Sequence, residues 1–150
     1  MSFPTQVLPD HHRHCDNLFV AAEDSAQRGD WAAAALAFER FQDQMQAHFA
    51  AEEGLLFPAF EAATGMSAGP TQMMRHEHEQ MRSLLSQLSL ACQAHDDESY
   101  AGIAETLLML MQQHNMKEEN ILYPMCDQAL GEQAQALGAR IGQTLETGHA

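Results

Sequence analysis

The sequence predicts an all-α protein, an antiparallel up-down-up-down four-helix bundle with a short C-terminal helix. Apolar residues recur at spacings of three and four along most of the chain, the good helix formers Ala, Leu, Met, Gln and Glu are abundant, and alternating strand-type runs are missing. A first helix is expected over about 9–28, closed by Gly29. Asp30 then caps a second, which runs from Trp31 to about Phe57 and is ended by Pro58 and the Thr64-Gly65 region. After the Gly69-Pro70 break, a third helix extends from about Thr71 to Ala94. Asp96 or Asp97 opens a fourth, expected to reach Tyr123-Pro124, and Gly131 precedes a short C-terminal helix of weaker amphipathicity. Long helices joined by short connections favour antiparallel neighbours.

A chain of 150 residues buries one continuous core without disulfides, so one domain is expected over 1–150, with a core of about 9–127 and an extension over 128–150. Seven basic and 21 acidic side chains give a net charge of -14, which repels phosphate backbones and anionic lipid surfaces, so neither nucleic acid nor membrane partners are expected. Cys15, Cys92 and Cys126 are an odd set without paired spacing, which argues against a disulfide framework and for a reducing, cytoplasmic compartment. The first residues show no basic region followed by an apolar run, and no stretch approaches the ~20 apolar residues of a membrane span.

One phrase is written twice. His48-Phe-Ala-Ala-Glu52-Glu53-Gly-Leu55-Leu56-Phe57-Pro58 is echoed sixty-six residues later by His114-Asn-Met-Lys-Glu118-Glu119-Asn-Ile121-Leu122-Tyr123-Pro124. A His and a Glu four apart on a helix lie on one face, so each phrase presents an imidazole nitrogen and a carboxylate oxygen in the same direction. The apolar residues at plus seven and plus eight mark that face as buried. In an up-down bundle the ends of the second and fourth helices share a pole with the starts of the first and third, where further ligands are expected near 9–20 and 71–82. Taking His78 as reference, apolar residues follow at Met81, Leu84 and Leu85. The same template fits His12, with Cys15, Leu18 and Phe19, better than His14, and His12 again precedes His78 by sixty-six residues.

Four imidazoles and two carboxylates suit iron or manganese, whereas a closed zinc site prefers four tetrahedral ligands including Cys. With Glu52 and Glu118 each bridging two metals, and an oxo or hydroxo bridge added, two six-coordinate ions would keep about two positions open to a small molecule such as oxygen or nitric oxide.

The paired phrases at His48 and His114, with Glu77-His78-x-x-Met-Arg82, resemble the hemerythrin-like, or HHE cation-binding, domain over about residues 9–127. The resemblance implies a four-helix bundle around a non-heme di-iron centre, with His12, His48, Glu52, His78, His114 and Glu118 as ligands; manganese and zinc are the lesser alternatives. It further implies a protein that binds, senses or scavenges oxygen, nitric oxide or peroxide. The alternatives are an iron donor for repair of damaged iron-sulfur clusters, although the Cys-bearing N-terminal domain that often accompanies that role is not expected from these residues, and a bundle stapled by a structural divalent metal. Oxygen-carrying hemerythrins place a fifth His where this chain has Met74, which opens a position to solvent, His76 or His14. They also place the last carboxylate five residues after its His, which would select Glu119; repeat symmetry with Glu52 favours Glu118.

The remaining residues carry plainer expectations. Glu53 and Glu119 are either acceptors for imidazole N–H groups or surface charge. His11 and His95 are expected on the surface, His149 in a frayed tail, and His14 and His76 partly exposed at the pole. Met45, Met81, Met111 and Met125 read as core filler, and Cys15 as a small buried hydrophobe. Phe41, Leu55, Leu107, Leu110 and Ile121 are expected to wall the site, and Trp31 to anchor the second helix.

Overall fold

The sixty-six-residue repeat of the sequence is also a repeat of structure. The computed structural model describes residues 3–147, which are helical apart from short turns, with no strand among them. Helices α1 (Pro4–Gln27), α2 (Trp31–Ala51) and α3 (Phe57–Thr64) return as α4 (Pro70–Gln93), α5 (Asp97–Lys117) and α6 (Tyr123–Leu130), and α7 (Gln133–Thr147) has no counterpart. His149 lies outside the described residues. Among those described, no helix is long and apolar enough to cross a membrane.

Local chemistry sets the boundaries. The carboxylates of Asp30 and Asp96 accept from the backbone N–H groups of Ala33 at 3.2 Å and Ser99 at 3.1 Å, capping α2 and α5. The turns before these caps use left-handed residues, Gly29 at φ 72° and His95 at φ 53°. Glycine adopts that conformation freely; the imidazole of His95 is held there by stacking on Trp31, with ring centres 5.4 Å apart and planes 1° from parallel. Trp31 thus anchors the start of α2, as its position in the sequence suggests.

The expected stops at Pro58 and Pro124 are not stops. Each proline lies two residues beyond a five-residue π-helical turn, Glu52–Leu56 or Glu118–Leu122, and the chain continues helically through α3 and α6. A proline inside an α-helix removes one backbone donor and presses on the carbonyl four residues back. The widened turn relieves that conflict, and the N–H groups of Phe57 and Tyr123 bond to the carbonyls of Glu52 and Glu118, five residues earlier. The same widening rotates the next helical segment by about one residue. Leu56 and Leu122, eight beyond each His, are therefore buried, while Ile121 is 56% exposed and not a wall of the site. Phe41 and Leu107 are buried as expected, and Leu55 and Leu110 are half-buried.

α1 begins at Pro4, earlier than the sequence suggests, because its first turns are fixed from outside: the Thr5 hydroxyl donates to Asp127, and Leu8 is wholly buried. α1 packs chiefly on α2 and α4 on α5, with α1–α5 and α2–α4 contacts joining the pairs. Phe19, Phe41, Leu85, Leu88 and Leu107 belong to one apolar cluster. A second, with Leu8, Leu56, Phe57, Leu122 and Tyr123, also takes in Leu130, Leu137 and Ile141. Met74 is buried in this second cluster, which explains a thioether where an imidazole could otherwise stand. Met45, Met81 and Met111 are buried and Met125 is half-buried, in keeping with core filling.

The C-terminal helix corrects an expectation too. Ala134, Leu137, Gly138, Ile141 and Leu145 are buried at helical spacing, so α7 carries a well-defined apolar face, seated on α1 and α2. Ile141 is fully buried. Ile141→Ala is expected to cost about 2–5 kcal/mol in urea unfolding; a loss well under about 1 kcal/mol would show that α7 lies outside the cooperative core.

Candidate metal centre

Six side chains meet between the two apolar clusters. His48 and His114 come from the last turns of α2 and α5, Glu52 and Glu118 open the π-helical turns, and His12 and His78 lie in α1 and α4. All six are buried, Glu52 and Glu118 completely. The Nε2 atom of His78 lies 3.0 Å from Glu52 Oε1, and that of His114 lies 3.2 Å from Glu118 Oε2. On the other side, the Nε2 atom of His12 lies 3.1 Å from Glu118 Oε1, and that of His48 lies 3.6 Å from Glu52 Oε2 and 4.0 Å from Glu118 Oε1. Each glutamate therefore turns one oxygen to each half.

Donor atoms form two groups in which all lie within 4.8 Å of one another: Glu52, His78, His114 and Glu118, and His12, His48 and Glu118. The groups share Glu118 and contain no sulfur. His114 Nε2 and Glu118 Oε2 are buried without a hydrogen-bond partner. Unpaired polar atoms in such a place are expensive unless something else satisfies them. A divalent or trivalent cation does so, and nitrogen and carboxylate donors are what iron or manganese accept. The residues fit such a metal.

A second ring of side chains holds the imidazoles by their outer nitrogens. His12 Nδ1 faces Glu119 at 2.7 Å, His78 Nδ1 faces Glu53 at 2.7 Å, and His114 Nδ1 faces Glu77 at 2.7 Å. His48 Nδ1 instead meets His11 Nδ1 at 2.9 Å, and His11 Nε2 meets Gln44 at 2.8 Å. Arg82 grips Glu53 with two N–H···O bonds of 2.8 and 2.9 Å, and Lys117 reaches Glu77. Such partners fix ring orientation and aim Nε2 inward. Glu53 and Glu119 are thus acceptors for imidazole N–H groups, and Glu119 stands outside both donor groups.

The electrostatics follow from these contacts. Burial alone would lower His12, but hydrogen bonds to Glu118 and Glu119 outweigh it and lift its pKa to about 9. Burial likewise opposes the effect of Glu118 and Glu77 on His114, which rises to about 10. His11, buried and next to His48, falls to about 4. Glu52 stays well below the ordinary carboxylate range despite its burial, because His48 and His78 face it. Glu53 is held at about 2 against its burial by His78 and Arg82. Burial, with Glu118 and Glu52 nearby, pushes the Tyr123 phenol well above its ordinary value.

His11 is a correction: expected on the surface, it is 8% exposed and braces His48. The repeat accounts for this, since His11 precedes His12 as Glu77 precedes His78, and both positions serve the outer nitrogen of a His on the neighbouring helix. Tyr123 went unassigned in the sequence although it occupies the slot of Phe57, a hydroxyl where the repeat has a plain ring. That hydroxyl lies 2.6 Å from Glu52 Oε2 and 2.8 Å from Glu118 Oε1. His14 and His76 are exposed and outside both donor groups, and the ring of His14 stands 5.9 Å from that of His11. Met74 is not replaced by either of them. His95 is exposed, and the thiol of Cys15, 2% exposed and 3.8 Å from His11 Nδ1, is pushed by burial up to about 12, which leaves it inert.

Comparison with known proteins agrees with this chemistry. The model of the hemerythrin HHE cation binding domain matches residues 4–126. A stretch of 92 residues is 35% identical to the iron-sulfur cluster repair protein YtfE of Musicola paradisiaca, covering 55% of this chain and 41% of that protein. The match therefore spans less than half of the relative's length. No solved structure matches the chain. Because the family model extends from the first turn of α1 into α6 and includes every residue of the buried His and Glu cluster, the chain belongs to the hemerythrin HHE cation binding domain family.

Proposed function

We propose that the protein holds two iron ions, one among His78, His114, Glu52 and Glu118 and the other among His12, His48 and Glu118, with Glu52 and Glu118 as bridging carboxylates. The observation that carries this reading is that the two donor groups share Glu118 while each glutamate divides its oxygens between the halves. A donor set of nitrogen and oxygen without thiolate favours iron over a closed zinc site, with manganese the nearest competitor. Bound iron supplies redox and Lewis-acid chemistry toward oxygen, nitric oxide or peroxide. The role proposed is to bind, sense or scavenge such small molecules.

The chain's own residues prepare that chemistry. Glu53, Glu77, Glu119 and His11 orient the imidazoles, and Phe49 and Phe57 lie against the ring of His78 at 4.3 and 5.6 Å, excluding water there. A cleft of about 720 Å³ between α1 and α7 has His11 in its wall. We read the bundle as up-down-up-down and the chain as one domain. Three buried free thiols support a reducing, cytoplasmic setting, and the net charge of -14 argues against nucleic acid and membrane surfaces.

The identity to an iron-sulfur cluster repair protein favours a second reading, delivery of iron to damaged clusters. Reduced, iron-loaded protein would then restore a cluster-damaged enzyme while losing its own iron. For the first reading, an anaerobically reduced sample should develop iron charge-transfer bands on exposure to air; a colourless protein holding only zinc would overturn it.

His48→Ala or His114→Ala is expected to abolish tight binding of at least one ion in metal titrations, with His95→Ala silent. His11→Ala, which removes only the brace on His48, should weaken affinity by about 10–100-fold. Metal must displace the protons that His12 and His114 hold at neutral pH, given values of about 9 and 10. Affinity measured across a pH series should therefore rise as the solution becomes alkaline and fall as it becomes acidic, with protons released on binding. An affinity flat from about pH 6 to pH 9 would contradict this.

A further inference from the structure

We infer that the phenol oxygen of Tyr123 is itself a metal ligand, on the His12 and His48 side of the pair. This rests on the iron site proposed above. The two halves are unequal in compactness: four donors of one lie within 4.8 Å of one another, whereas on the other side only Glu118 joins His12 and His48 within that limit, Glu52 Oε2 standing 3.6 Å from His48. Tyr123 stands amid the donors of this looser half. Its oxygen lies 2.8 Å from Glu118 Oε1, 3.2 Å from His12 Nε2, 3.4 Å from His48 Nε2 and 2.6 Å from Glu52 Oε2. Donors about 2.1 Å from one ion and adjacent in its shell are about 3 Å apart, so these are the separations of a shared coordination shell.

Hydrogen bonding alone accounts for less of this arrangement. One hydroxyl donates one proton and accepts at most two, yet four polar atoms crowd the oxygen, two of them the inward-facing nitrogens of the proposed ligand histidines. The repeat supplies an internal comparison. Phe57, at the matching position, is also wholly buried and packs on His78, in the half that already has four donors. An aromatic ring satisfies the packing there, so the hydroxyl of Tyr123 answers a need that packing does not create.

Coordination forms one iron–oxygen bond and breaks one O–H bond; the proton leaves to buffer and no electron is transferred. The positive ion offsets the burial that otherwise keeps the phenol protonated.

The test is resonance Raman and visible absorption of the ferric protein, with iron content measured on the same sample. Wild type should show a phenolate-to-iron charge-transfer band with enhanced tyrosine ring modes. Tyr123→Phe should keep its iron yet lose the band at least ten-fold. The chain has two tyrosines, and Tyr100, in the other apolar cluster, provides the control: Tyr100→Phe should leave the band intact. Where Tyr123→Phe fails to fold, ring-deuterated tyrosine in the Tyr100→Phe protein makes the same assignment through shifted modes. Iron-loaded wild type without phenolate modes, or a band that survives Tyr123→Phe, would overturn the inference and leave the iron site standing. Wild type that takes up no iron would overturn both.

Discussion

Two carboxylates with no contact to water occupy one space between the apolar clusters, and the rest of the molecule is arranged around that fact. Removing an ion from water costs several kcal/mol even after the protein relaxes, and two like charges add their repulsion. Glu52 and Glu118 are both fully buried. Four imidazoles face them, and outside these stand Glu53 and Glu77 with their cationic partners Arg82 and Lys117, and Glu119 against His12. The alternation of acid, imidazole and acid compensates neighbours in turn, but it leaves His114 Nε2 and Glu118 Oε2, 3.2 Å apart, without a hydrogen bond. On the proposed reading, a pair of cations would supply the compensation that these side chains lack.

Helix geometry makes the convergence possible. An i, i+4 pair sets a His and a Glu on one face, and the π-helical turn that begins at each glutamate lets the rod continue past a proline while turning Leu56 and Leu122 inward. Since both halves of the chain do this at the same offset, two copies of one device enclose the site. The departures from symmetry fall on one side of it. His11 replaces the Glu77 type of brace, Tyr123 replaces Phe57, and α7 lies chiefly against α1 and α2. The two halves of the proposed centre would therefore offer unlike surroundings to two ions.

Most of this was legible in the residues. The repeated phrase located His48, Glu52, His114 and Glu118, and the apolar template, with the sixty-six-residue offset in agreement, chose His12 over His14. The features that escaped had physical causes. Proline normally ends a helix, so a π-helical turn that absorbs Pro58 and Pro124 was invisible, and with it the outward turn of Ile121. Two adjacent histidines cannot share one face of a helix, so once His12 pointed inward His11 looked exposed; its burial depends on α2 and α7 lying alongside. Tyr123 was masked by the aromatic residue expected at its position.

The most direct test of the central claim is X-ray absorption at the iron edge on protein purified without added metal. A shell of nitrogen and oxygen neighbours followed by a second iron is the result this account predicts. Protein that carries zinc alone, or iron with no metal neighbour, would contradict it.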